Sequence, residues 1–257
     1  MSSLTYLYCI VAAPRAPRTA RAPRGLPGLA AARALEIDRG LYAIVADAPR
    51  RQYDEATVNR RLSNLDWVSQ IAVAHEAVVE YFVDQPAVLP SKLLTLFDDD
   101  ESALKHLHDE RRRLAATAKR VARHVEWGVR ILLDPSSAGR ANAASNPKRE
   151  GAVSGAAYLA LKRARLNERE ELAGRAKATA STLFATLARR ARAARKRSGH
   201  EPPAAQGTLL LDAAFLVPKS RAASFRSLAA KHARSLAPDG YVVTLTGPWP
   251  PYSFVQD

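Results

Sequence analysis

The sequence predicts an α+β protein of two domains, and three features of its patterning carry that expectation. A continuous apolar run rich in Tyr, Ile and Val opens the chain, apolar residues recur every three or four positions in the middle, and strand-like and helix-like stretches alternate in the last third. A length of 257 residues exceeds what one domain of ~150 residues needs. Hydrophobic residues at 47% and charged residues at 25% give the balance of a chain that folds around a core.

The first domain is expected over residues 1–122. Leu4 to Ala13 is apolar on both faces and reads as a buried strand that Pro14 ends. The Pro/Arg/Gly stretch to Pro27 reads as a flexible loop. Ala34 to Ile37 and Leu41 to Ala46 then flank a turn at Asp38-Arg39-Gly40, so three strands precede the first helix. From Glu55 to Phe82, Val58, Leu62, Leu65, Val68, Ala72, His75, Val79 and Phe82 keep the spacing of one buried helical face. His75 falls on that stripe and is expected to be a hydrogen-bonded core histidine with no chemistry of its own. Ala87 to Leu89 suggests a short strand. Asp98-Asp99-Asp100-Glu101 opens a helix to about Ala122 with Leu104, Leu107, Leu114 and Val121 inward. Acids there suit the positive end of the helix dipole, and contiguous acids lack the alternating ligand spacing of a calcium loop.

The second domain is expected over residues 123–257. His124 to Leu133 reads as a strand, and Asp134 to Glu150 as a mobile loop. Residues 154–197 contain no proline and much Ala, Leu, Glu and Arg, which predicts one long helix or two joined near Gly174. A strand from Thr208 to Val217, a helix from Arg221 to Leu236 with Phe225, Leu228, Ala229 and His232 on one side, and a strand from Tyr241 to Thr246 complete it. That is the order of an α+β sandwich with one helical layer, and a ferredoxin-like arrangement needs a fourth strand, sought between Gly199 and Gln206.

The net charge of +14 raises nucleic acid as a partner, through an Arg-rich helix over residues 162–197. Its bases are not interleaved with aromatics, and Phe184 alone lies in its second half, so no specific nucleic-acid contact is expected. Arginine outnumbers lysine and concentrates in Pro14 to Gly28 and Ala188 to Arg197, the accent of a GC-rich coding bias. The single cysteine, Cys9, cannot form an internal disulfide. Leu4 to Ala13 falls short of the ~20 residues of a membrane helix, so neither secretion nor membrane insertion is expected. No phosphate loop, nucleophile elbow, zinc helix or dinucleotide fingerprint is present, and His106 and His108, two apart, point to different helical faces. No catalytic, cofactor-binding or metal-binding residue is assigned, and no cofactor is expected.

The chain ends in Gly247-Pro248-Trp249-Pro250-Pro251-Tyr252-Ser253-Phe254. Prolines stiffen this backbone, and Trp249, Tyr252 and Phe254 are expected to lie buried against the C-terminal sheet. The segment resembles the ending of the gas vesicle protein F and L family. Tyr6-Leu7-Tyr8, Trp67 with His75-Glu76, Val88-Leu89-Pro90, Glu126-Trp127-Gly128-Val129 and Gly155-Ala156-Ala157-Tyr158-Leu159 resemble further family motifs, in the same order. Cys9 stands where the family usually has glycine, and Ser91-Lys92-Leu93-Leu94-Thr95 replaces a pattern closer to Arg-Phe-Gly-Thr. The resemblance marks Trp249, Tyr252, Phe254, Trp127 and Tyr158 as structural signature residues. It implies two α+β domains, the second a modified ferredoxin-like fold with a long helix or helical hairpin, and a non-enzymatic, minor component of gas-vesicle assembly, in the cytoplasm and on the vesicle. Its implied partners are the small hydrophobic shell protein, met through an apolar groove or sheet edge, and other accessory gas vesicle proteins.

Overall fold

The computed structural model describes residues 3–134, 155–198 and 207–255. It is an α+β fold that packs as two compact units, Met1–Glu126 with Pro248–Asp257, and Trp127–Gly247.

In the first unit, β1 (Ser3–Ala12), β2 (Arg33–Asp38), β3 (Leu41–Pro49) and β4 (Ala87–Pro90) form a sheet ordered β2-β3-β1-β4, and a two-residue β5 (Leu96–Phe97) also pairs with β1. The pairings are antiparallel, with register shifts between Leu7 and Cys9 and between Glu36 and Asp38. As a central strand β1 is buried from Leu4 to Val11, which is why its sequence is apolar on both faces. The end of the Pro14–Pro27 stretch is pinned: Leu26 is buried and its N–H donates to Tyr8 Oη at 3.2 Å, while Tyr53 Oη donates to the Pro27 carbonyl at 2.7 Å. A Cβ on Gly25 would sit 1.6 Å from Tyr8 Oη, so only glycine lets the loop lie this close.

The single helix expected over Glu55 to Phe82 is two, α2 (Glu55–Arg61) and α3 (Leu65–Tyr81), after a one-turn α1 (Arg50–Tyr53). The break has a local cause, because the Asn64 side chain accepts from the Trp67 N–H at 3.0 Å and starts a new helix. The restart rotates the face that packs inward. Leu62 and Leu65 are therefore 47% and 78% exposed, and the buried positions of α3 are Ile71, His75, Val78 and Val79.

The helix expected from the acidic run likewise divides, into α4 (Asp100–Asp109) and α5 (Arg111–Val121). Leu107, Leu114 and Val121 face inward and Leu104 is half-buried. Each acid but Glu101 has a structural partner among the described residues. Asp99 forms a capping box with Ser102, Asp98 pairs with Arg50 at 2.8 Å, and Asp100 accepts from Arg33 at 2.7 Å and from Thr5 at 2.6 Å. The guanidinium of Arg33 holds the Asp100 carboxyl below its ordinary range.

The second unit is built on β6 (His124–Leu133), α6 (Gly155–Ala188), β7 (Ala193–Lys196), β8 (Thr208–Pro218), α7 (Ala222–Leu236) and β9 (Tyr241–Trp249). Its sheet runs β7-β8-β6-β9, and the succession strand, helix, strand, strand, helix, strand is that of a ferredoxin-like arrangement. The long helix does not reach residue 197. It ends at Ala188, and Ala193–Lys196 pairs antiparallel with Leu216–Ala213 as the edge strand. Helix propensity of an Ala/Arg sequence has yielded to sheet pairing, so the fourth strand lies before the segment searched for it. That segment, Gly199 to Gln206, and most of the loop after Asp134 lie outside the described residues. Ala176, Ala180, Leu183 and Leu187 bury the C-terminal half of α6, and Phe215 stacks near Phe184 and Phe225 with ring centres 5.5 Å apart in each pair.

Candidate functional site

The residues singled out from the sequence converge, in the first unit, on the chain's last turn, α8 (Tyr252–Val255). Two steps apart on β1, Tyr6 and Tyr8 project to one face. Both are buried, with ring centres 4.8 Å apart and at 5.9 and 5.6 Å from the His75 ring. Tyr6 Oη shares a hydrogen bond with His75 Nδ1 at 2.8 Å and accepts from the Leu94 N–H at 3.3 Å. Leu94 has φ of +64°, in the left-handed region that glycine adopts freely and leucine does not, and its amide is held by that phenol. The departure from Arg-Phe-Gly-Thr therefore falls on a residue whose backbone still takes the glycine-like conformation.

Burial pushes the His75 imidazole down from 6.5 to about 4. The Ser91 backbone opposes that shift in part, although Nε2 makes no bond of normal geometry. Since the native state prefers the neutral ring, the unfolded state binds more protons between pH 6.5 and about 4. Stability carried by His75 is complete above pH 6.5 and falls as pH drops through that window, by up to about 3 kcal/mol. The next residue, Glu76, is shifted upward by burial, so its contribution has the opposite slope above the ordinary carboxylate range. A His75→Gln chain is therefore expected to lose the acid-side decline and to become slightly more stable as pH falls from 6.5. Unfolding midpoints measured across pH 4.5 to 7 check this; an unchanged decline places its origin elsewhere.

Glu76 turns away from the tyrosines toward the tail, where it accepts a hydrogen bond from Tyr252 Oη. Burial first, and then this carboxylate, push the Tyr252 phenol upward, so it stays a donor. Glu126 is 4% exposed and takes both donors of Ser253, the N–H at Oε2 and the hydroxyl at Oε1, each at 2.7 Å. Arg120 Nη2 donates to the Phe254 carbonyl at 2.8 Å. Pro250, Pro251, Phe254 and Val255 are buried, with α8 lying on β4 and α5. Tyr6, His75-Glu76, Val88-Leu89-Pro90, Glu126 and Tyr252-Ser253-Phe254 thus form one connected cluster, most of whose polar groups are spent on one another.

Three expectations change here. Trp249 is 38% exposed at the end of β9, where the strand's alternating burial breaks off; it is not a buried anchor. Tyr252 is half-buried and bonds Glu76 of α3, and Phe254, buried at 2%, sits on a turn that packs on α5 and β4 of the first unit. The reason is the turn at Pro250-Pro251, which carries the chain out of β9 and into α8. Trp127 packs within the second unit at 6.2 Å from Phe225, and a Cβ on Gly128 would sit 2.5 Å from Thr246 Oγ1, so that glycine admits a neighbouring side chain. Tyr158 belongs to the first turn of α6, where its side chain lies outside the described residues.

The cluster is poorly suited to proton transfer or nucleophilic attack. Burial holds the Cys9 thiol protonated and pushes both tyrosine phenols of β1 upward. Among the described residues no group of three His, Cys, Asp or Glu side chains is placed to hold a metal, and no helix is long and apolar enough to cross a membrane. Beside α8 opens a groove of about 560 Å³ with Ile10, Leu89, Leu107 and Val255 among its apolar lining and Lys92, His106 and Arg113 among its basic one. Sequence reasoning missed this groove, because its walls come from β1, β4, α4, α5 and α8 and no local pattern joins them.

Residues 4–256 match the family described as gas vesicle synthesis protein GvpL/GvpF. The chain is 34% identical over 227 residues to gas vesicle protein L of Streptomyces sp. (strain CB03234), spanning 83% of this chain and 79% of that one. It is 27% identical over 226 residues to gas vesicle protein F of the same strain, spanning 86% of each. Its fold is similar to the crystal structures of GvpF from Anabaena sp. PCC7120, with a TM-score of 0.71 at 20% identity over 100% and 97% of the two chains, and of GvpF from Microcystis aeruginosa, with a TM-score of 0.68 at 16% identity over 100% of both.

Proposed function

We propose that this chain, which belongs to the gas vesicle synthesis protein GvpL/GvpF family, is a non-enzymatic accessory protein that binds the small hydrophobic shell protein during vesicle assembly in the cytoplasm. The observation that carries the reading is the use to which the family-like residues are put: they clasp the tail beside an open apolar groove instead of framing a reactive centre. A shell subunit hydrophobic enough to line a gas space must be shielded before it polymerises, and a groove floored by aliphatic side chains can cover such a segment. Other accessory gas vesicle proteins are further partners on the same reasoning. The competing reading, a nucleic-acid-binding helix, is disfavoured because Glu168, Glu170 and Glu171 interrupt its bases and Phe184 is packed beneath Lys196 and against Phe215.

The expected result is that affinity-tagged chain co-expressed with the shell protein captures it, and that Lys92→Glu with His106→Glu at the groove mouth reduces capture several-fold while leaving the melting temperature unchanged. Capture that recovers no shell protein, where another assembly factor does, sinks the proposal.

A further inference from the structure

The N-terminal half of α6 presents a stripe that no other described residue covers. Leu159 and Leu166 are 64% and 51% exposed, and Arg163, Glu170, Ala173 and Gly174 are exposed as well. The first five recur at alternating steps of four and three, with Gly174 four after Glu170, a seam of near-heptad spacing. It lies well to one side of the buried stripe of Ala176, Ala180, Leu183 and Leu187, so the packing that holds α6 to its unit leaves the seam outward. Neither Arg163 nor Glu170 has an ion-pair partner among the described residues.

We infer that this seam is the interface with a second copy of the chain, the two α6 helices running antiparallel. The argument is charge complementarity of the stripe with itself. An antiparallel copy centred between Leu166 and Asn167 sets Arg163 opposite Glu170 at both ends of a two-fold contact. The two Leu166 side chains meet at the centre. Each Leu159 falls over the partner's Gly174, a position whose Cβ would meet nothing within 4 Å and which therefore lets the helices approach. A parallel copy would set like charges together and lose every one of these pairings. The inference stands apart from the shell-protein reading, since it uses a different surface and a different partner.

Sedimentation velocity of the full chain over a concentration series tests it. The parent chain is expected to dimerise, and Arg163→Glu or Glu170→Arg alone is expected to weaken the dimer by about tenfold or more, since each replaces two attractive pairs with two repulsive ones. Mixing the two single variants in equal amounts is expected to restore association, because each then meets its complement, and the double variant is expected to dimerise like the parent. A parent that stays monomeric throughout the series overturns the inference, as do single variants that dimerise like the parent or a mixture that fails to recover. Circular dichroism of each variant confirms that these exposed substitutions leave the fold intact.

Discussion

Phe254→Ala is expected to cost about 3–5 kcal/mol of first-unit stability, the range for truncating a buried aromatic ring. Phe254 is 2% exposed on a turn that packs against β4 and α5, and its loss opens a void beneath that turn. Trp249→Ala, one turn of chain earlier and 38% exposed, is expected to cost about 1 kcal/mol or less, as surface substitutions usually do. Because the chain has two units, a single melting curve blends them. Hydrogen exchange read on peptides of β4 and α5 isolates the effect: faster exchange in Phe254→Ala with near-parental exchange in Trp249→Ala is the expected outcome. The reverse order would mean that the tail is anchored through its tryptophan.

Glu126→Ala is expected to be the most damaging polar substitution, at about 2–4 kcal/mol. Both carboxylate oxygens accept from Ser253, and hydrogen bonds to a charged group contribute about 1.5–3 kcal/mol each. The gain from no longer burying a carboxylate offsets part of this, which is why the figure is less than the sum of two bonds. Glu126→Gln keeps one good acceptor and is expected to recover roughly half of the loss. Urea denaturation combined with hydrogen exchange in the α8 peptide gives both numbers. Equal midpoints for the parent and Glu126→Ala would show that the tail is held by apolar burial alone.

The sequence was most readable where local pattern and tertiary role coincide. The strand His124–Leu133 is where its apolar run places it, and β1 is buried on both faces as its composition implies. Hydrophobic period did not reveal the restart at Asn64, because a side-chain cap leaves no mark on the spacing of apolar residues. It also misassigned Ala193–Lys196, four residues of good helix-forming composition whose conformation is decided by the neighbouring β8. The tail cluster was half legible. Its residues could be named as motifs, but Tyr252 and Glu76 are 176 positions apart, and no local rule joins them. Burial of Phe254 and exposure of Trp249 are likewise set by where the chain turns at Pro250-Pro251.

The first unit is discontinuous, and this has a consequence in time. Between Glu126 and Pro248 the ribosome must add the 121 residues of Trp127–Gly247, which at about 5–20 residues per second takes on the order of 6–24 s. Throughout that interval the carboxylate of Glu126 is without Ser253, and the surface of β4 and α5 that receives Phe254 is uncovered. The nascent first unit is thus a holdable intermediate, its apolar face open to chaperones, and it is closed by residues made only after the whole of the second unit.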